Sequence, residues 1–249
     1  VKVRKAAIGV ELDITEADLK VGVDELQLTA IVEPSNSIDY DLDWTTSDDA
    51  VAVVSDKGLV TPVGPGEATI TVTVDRAHQA TCVVRVTQPA EGVFLNKTEL
   101  KIQRGTSETL EATVQPATTN IKDLTWTSSA PEIASVDQTG KVTAHKLGEA
   151  DITVTTVDGG HTAVCKVTVI QKVTGVTLDK ESASLRIGEE TLQLNAVVEP
   201  SDASDKSLLW TSSEPGVASV SETGLVTPLA PGETVITATT VDGEFSATC

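Results

Sequence analysis

Leu209-Trp210-Thr211-Ser212-Ser213, with the stretch that follows it to Cys249, is the third copy of one pattern. Trp44, Trp126 and Trp210 lie 82 and 84 residues apart, and Cys82, Cys165 and Cys249 lie 83 and 84 apart. Each Trp precedes its Cys by 38 or 39 residues, so the chain is a tandem array and not one large domain. Copies of about 80 residues are long enough to carry a core each. The alignment predicts repeat 1 at 4–88, repeat 2 at 89–170 and repeat 3 at 171–249. Val1-Lys2-Val3 align with the strand that closes repeat 2 and read as the tail of a preceding repeat. Repeat 3 stops at Cys249, before the counterparts of Val84 and Val86, so its last strand is read as incomplete. Residues 1–3 have the pattern to supply that strand to another chain by edge addition.

Within each copy apolar and polar residues alternate over short segments, the period of half-buried strands, expected here to pair antiparallel. A first strand broken in two carries Val10 and Leu12, then Leu19 and Val21; its counterparts are Val93, Leu95, Leu100 and Ile102, and Val176, Leu178, Leu185 and Ile187. A second strand sets Leu26, Leu28, Ala30 and Val32 on one side and ends at Pro34, as its equivalents end at Pro116 and Pro200, because proline has no N–H for the ladder. The third strand places Trp44 on the same side as Leu42, Trp126 with Leu124 and Trp210 with Leu208, which predicts indoles buried in the core. Gly58, Gly140 and Gly224 stand fourth in tight turns that call for a positive φ. A longer strand through Ile70, Ile152 or Ile236 then leads to a final strand that points Cys82, Cys165 or Cys249 inward.

With the broken first strand counted once, each copy has about seven strands. An odd number leaves the two ends of a sandwich at opposite poles. The connections Gln88-Pro89-Ala90-Glu91-Gly92 and Gln171-Lys172-Val173-Thr174-Gly175 are too short to fold one copy back on the next. The expected architecture is all-β: three tandem β-sandwiches in an extended rod, on the order of 100 Å long.

The chain carries 18 basic and 37 acidic residues, a net charge of −19, with repeats 1 and 3 at −8 each and repeat 2 at −3. Such a field repels phosphate backbones and anionic lipid, which argues against nucleic acid and membrane surfaces as partners. No run approaches the ~18 apolar residues of a membrane span. With one cysteine per copy at one equivalent place, no internal disulfide can close, and the three read as buried core thiols.

Seven short strands with turn signals suit an immunoglobulin-like sandwich. The ordered set of Trp-Thr-Ser-Ser at 210–213, Val-Ala-Ser-Val at 217–220, Gly-Leu-Val-Thr-Pro at 224–228, Pro-Gly-Glu at 231–233, Ile-Thr-Ala-Thr at 236–239 and Ala-Thr-Cys at 247–249 resembles the bacterial immunoglobulin-like domain, group 2. Related versions recur in all three copies. Repeat 1 departs most, with Trp44-Thr45-Thr46-Ser47-Asp48 and a final hairpin of Asp75-Arg76-Ala77 in place of Asp-Gly. The resemblance implies an extracellular or bacterial cell-surface setting, since members sit in intimin- and invasin-like adhesins and beside the catalytic domains of secreted enzymes. It carries over no catalytic residue.

The residues agree with that expectation. No Gly-x-Ser-x-Gly, His-Glu-x-x-His or phosphate-cradling glycine loop is present, so the chain reads as no enzyme and needs no cofactor. Asp39, Asp41 and Asp43 alternate on the strand face opposite Leu42 and Trp44 and are the metal candidates, offering oxygens to Ca²⁺. In-line strand residues two apart are about 6.6 Å apart, which favours a solvated face that discourages edge pairing. His78 and His161 are equivalent, with Phe245 in the third copy, and read as packing at the end of the core. Phe94 falls out of phase with Val93 and Leu95 and is expected at a contact near Pro89; Tyr40 aligns with Lys122 and Lys206 at a strand end. The function expected is a non-catalytic spacer or adhesive segment, monomeric, contacting its neighbouring repeats and a host or bacterial surface protein or glycan. The alternative is a carbohydrate- or Ca²⁺-binding module accessory to a secreted enzyme.

Overall fold

A computed structural model describes residues 6–38 and 40–249. Asp39 and the Val1-Lys2-Val3 tail lie outside them. Among the described residues every regular element is a strand. Repeat 1 contains β1 (Gly9–Leu12), β2 (Glu16–Lys20), β3 (Leu26–Gln27), β4 (Ala30–Glu33), β5 (Leu42–Thr46), β6 (Ala52–Val54), β7 (Leu59–Pro62), β8 (Gly66–Val74) and β9 (His78–Thr87). Repeat 2 follows with β10 (Gly92–Leu95), β11 (Glu99–Gln103), β12 (Ser107–Thr109), β13 (Ala112–Gln115), β14 (Leu124–Ser128), β15 (Ala134–Val136), β16 (Lys141–Ala144), β17 (Gly148–Thr156) and β18 (Thr162–Ile170). Repeat 3 has β19 (Gly175–Leu178), β20 (Leu192–Gln193), β21 (Ala196–Glu199), β22 (Leu208–Ser212), β23 (Ala218–Val220), β24 (Leu225–Pro228), β25 (Ile236–Thr240) and β26 (Ser246–Thr248).

In repeat 1 one layer is the sheet β2-β9-β8-β5, and the other is formed by β3-β7-β6 together with the pair β1-β4. The first strand breaks in two, as its sequence suggests, and so does the second. Asp13 explains both breaks: its Oδ1 accepts the N–H of Thr29 at 2.8 Å, and its own N–H goes to Thr29 O at 3.2 Å. A side chain that takes over a ladder position lets both strands leave each other at this point. β1 then pairs with β4, whereas β2 crosses to the other layer and pairs with β9. Asn96 with Glu111, and Asp179 with Asn195, repeat the device.

The β2–β9 pair is parallel, as is β11–β18, which corrects the expectation of antiparallel pairing throughout. A parallel pair needs a long connection between its members, and the whole repeat lies between β2 and β9. A second correction concerns repeat 3. Leu185 and Ile187 form no strand, and Ile187 is half exposed. Their counterparts in repeats 1 and 2 pair with residues 83–87 and 166–170.

The chain divides into two compact units: residues through Asn96 with Leu110–Thr127 and Thr153–Val164, and Lys97–Thr109 with Ser128–Ile152 and Cys165–Cys249. The division passes through repeat 2, so each linker lies wholly inside one unit. In the first unit the layers of repeat 1 close on Leu28, Val60, Ile70, Val72, Cys82 and Val84, all sealed from solvent. Side chains of that size stabilise by ~1.5–3 kcal/mol each on burial. In the second, Leu194, Ala218, Val226 and Ile236 form one buried cluster of repeat 3, with Trp210 and Cys249 packed on it.

Candidate functional site: the linkers and the Trp–Cys core

The residues singled out in the sequence fall into three places. Cys82 and Cys165 are sealed in their cores, Cys82 directly across the ladder from Ile70. Burial pushes both thiols upward from their ordinary pKa; for Cys82 the nearby carboxylates of Asp13 and Glu16 add to the shift. Cys249 is only half-buried, a correction to its reading as a fully buried thiol. It exchanges two backbone hydrogen bonds with Ile236, at 2.8 and 2.9 Å, and packs on the cluster of Leu194, Ala218, Val226 and Ile236.

Trp126 is buried at 6 % exposure, whereas Trp44 and Trp210 keep part of the indole on the surface. Full burial therefore fails for two of the three. Edge position does not separate the three, because β14, which carries Trp126, is outermost in its sheet just as β5 and β22 are in theirs. The six-membered edge of the Trp44 and Trp210 indoles reaches the tight turn. A Cβ on Gly58 would stand 2.8 Å from Trp44 Cζ2 and 2.6 Å from Leu28 O, and one on Gly224 would stand 2.8 Å from Trp210 Cζ2 and 2.7 Å from Leu194 O. Glycine is needed there both for its positive φ and for the space.

The Ser-Thr run after each Trp has a structural use that the sequence did not show. Ser47, Ser129 and Ser213 accept, through Oγ, the N–H of Thr69, Asp151 and Val235, at 2.8–2.9 Å. These bonds hold the end of the Trp strand to the start of the long strand beside it.

Asp43 points outward from β5, and Asp41 precedes that strand, its N–H bonded to Asp75 Oδ1 at 3.1 Å. Among the described residues, no three His, Cys, Asp or Glu side chains come together as a metal site. Phe94 is 62 % exposed, and the edge of its ring lies 4.0 Å from where a Cβ on Gly92 would stand, so it sits beside the end of the Pro89 linker with most of its surface in solvent. Its neighbour across the ladder is Thr113, on the solvent face of β10–β13, which offers an aromatic ring little apolar cover.

The linkers themselves are the most organised polar sites. In the first, the Asp158 carboxylate accepts the N–H of Ala90 at 3.0 Å and lies 4.0 Å from Lys20 Nζ. His161 Nε2 lies 2.9 Å from Ala90 O, so the histidine grips the linker instead of capping the core, as its sequence position had suggested. Gln88 is held on both sides: its N–H by Asn120 Oδ1 at 3.0 Å, its carbonyl by the Thr119 hydroxyl at 2.7 Å. The second linker repeats the scheme with different residues. Asp242 accepts the N–H of Val173 at 2.9 Å, Ser204 brackets Gln171 through its hydroxyl and N–H, and Gln103 Oε1 accepts from Lys172 N at 2.9 Å. Arg104 and Asp202 add an ion pair at 2.6 Å. Ala90 and Val173 are each 5 % exposed, so the capped N–H groups belong to buried residues. Asp158 and Asp242 open the Asp-Gly hairpins that were legible as turns; that their carboxylates reach a linker 68 or 69 residues earlier was not.

This arrangement holds backbone in place. No helix of the described residues is long and apolar enough to cross a membrane. The family model of the bacterial Ig-like domain (group 2) matches residues 7–84, 89–167 and 172–249. The chain is 38% identical over 134 residues to an uncharacterized protein of Clostridium acetobutylicum, covering 53% of this chain and 14% of that protein. It is 32% identical over 171 residues to an Ig-like virion protein of Serratia phage KSP90, covering 66% of each. A segment of 79 residues is 47% identical to part of a 3-O-alpha-D-galactosyl-alpha-L-arabinofuranosidase of Bifidobacterium longum subsp. longum, 29% of this chain and 7% of that enzyme. In each case the chain spans less than two thirds of its relative. With the model matched three times in succession, the chain belongs to the bacterial Ig-like domain family, group 2.

Proposed function

We propose that the chain is a non-catalytic spacer in a surface-exposed protein, setting the distance between whatever its ends carry. The observation that carries the reading is the capping of a buried linker N–H by an aspartate of the repeat that the linker opens, Asp158 for Ala90 and Asp242 for Val173. A flexible tether gains nothing from such a cap. A spacer of fixed length gains stiffness, because each unmade bond would cost about 1–3 kcal/mol. Likeness to a virion protein, a structural component of a phage particle, supports a structural role outside the cell. The matched arabinofuranosidase segment is compatible with the same role beside an enzyme. The host or bacterial surface protein or glycan that the sequence reading expects would then bind elsewhere on the parent protein or on exposed loops.

Small-angle scattering on the chain tests the spacer. An elongated particle is expected, and Asp158→Ala with Asp242→Ala should broaden its distance distribution. A radius of gyration near ~18 Å, that of one compact globule of this length, rejects it.

A further inference from the structure

On the surface of repeat 3 lies an open groove of about 380 Å³. Its apolar side is built by Leu208 and the half-buried Trp210, and its rim by Gln193, Asn195, Lys206 and Glu222. Most of this rim is only partly committed. The Gln193 amide donates to Leu194 O and Thr223 O, at 2.9 and 2.7 Å, which leaves its oxygen available. Asn195 Nδ2 donates to Asp179 Oδ2 at 2.8 Å, and its oxygen is likewise available. Lys206 reaches the Ser201 carbonyl. The Glu222 carboxylate and the Trp210 indole N–H bond to no protein group, and no unpartnered side-chain N or O atom among the described residues is sealed from solvent.

We propose that this groove binds a neutral saccharide. An indole beside hydrogen-bonding groups suits a ligand with an apolar C–H face and a rim of hydroxyls, each of which both donates and accepts. The Trp210 N–H supplies a donor; the oxygens of Gln193, Asn195 and Glu222 supply acceptors. Repeat 3 has a net charge of −8, and Glu222 lacks a counter-ion, so acidic sugars are repelled and neutral ones are not. Trp126 provides the contrast inside the same chain: at 6 % exposure it has no comparable face to offer.

The groove is independent of the spacer role, and the test separates them. The full chain, labelled with ¹⁵N, gives one indole N–H resonance per Trp, with that of Trp210 identified by its loss in Trp210→Phe. Neutral hexasaccharides of arabinose, xylose, galactose, glucose and mannose are titrated in turn. At least one should move the Trp210 resonance saturably, with a Kd at or below about 1 mM, while that of Trp126 stays still. Glu222→Ala, an exposed substitution, should weaken that sugar by about fivefold or more without disturbing the rest of the spectrum. The proposal is overturned if no hexasaccharide moves Trp210 at about 10 mM. It is equally overturned if Glu222→Ala leaves the affinity unchanged, or if a sulfated sugar binds more tightly than the neutral ones. The shape measured by scattering is untouched by any of these outcomes.

Discussion

The Asp158 carboxylate accepts the N–H of Ala90 at 3.0 Å across 68 residues of sequence. Asp158→Ala should leave a buried N–H without a partner and cost about 1–3 kcal/mol, with faster hydrogen exchange at the Ala90 amide. Asp158→Asn retains an acceptor oxygen and should lose much less. Equal exchange rates in the wild type and the alanine variant would show that the cap is dispensable.

Gly188 and Gly224 share a positive φ, +76° and +83°, but not a setting. A methyl group on Gly188 would meet nothing within 4 Å, whereas one on Gly224 would meet Leu194 O and the Trp210 ring within 3 Å. Gly188→Ala should therefore cost only the left-handed backbone term, about 1–2 kcal/mol. Gly224→Ala should cost clearly more in urea denaturation, since backbone cannot yield as a flexible side-chain tip can. Equal costs would mean that the turn moves away from the indole freely.

The buried thiols make stability fall at high pH. Burial first, then Asp13 and Glu16, raises the Cys82 pKa above its ordinary value of 9.0, so the folded state keeps a proton that the unfolded chain has lost. Their contribution is complete below about pH 9 and declines as pH rises from there through the folded-state pKa. Melting curves from pH 8 to 11 should show this decline, and Cys82→Ala with Cys165→Ala should flatten it. Under native conditions a thiol reagent should modify half-buried Cys249 first, and all three only after unfolding.

At acid pH the strand-break carboxylates act in the opposite sense. The Thr29 N–H lowers the Asp13 pKa, and the Asn195 N–H lowers that of Asp179. A lowered folded-state pKa stabilises above the ordinary carboxylate value and loses that contribution as pH falls through about 4 toward the folded value. Asp13→Asn with Asp179→Asn should flatten the acid limb of stability against pH and keep the fold. Asn96, which already does this job uncharged in repeat 2, shows that the amide fits. An unchanged acid limb in that variant would assign the loss to other carboxylates.

Alternation alone determined a good deal of this protein. Leu28, Val60, Ile70 and Cys82 were placed inward by a period of two, and they are inward because a strand that buries one face has no other way to arrange its side chains. The copies of Trp and Cys likewise determined the tandem order, and Gly58, Gly140 and Gly224 marked turns that do have positive φ, at 78°, 82° and 83°. Period two says which side a residue faces and nothing about which strand lies beside it. The crossing of β2 to the parallel edge of β9, the double break at Asp13, the caps on Ala90 and Val173 and the open side of Trp210 all depend on neighbours far away in sequence. Only tertiary structure decided those, because a hydrogen-bond acceptor or an uncovered ring edge acquires its role from what the folded chain brings within about 3–4 Å of it.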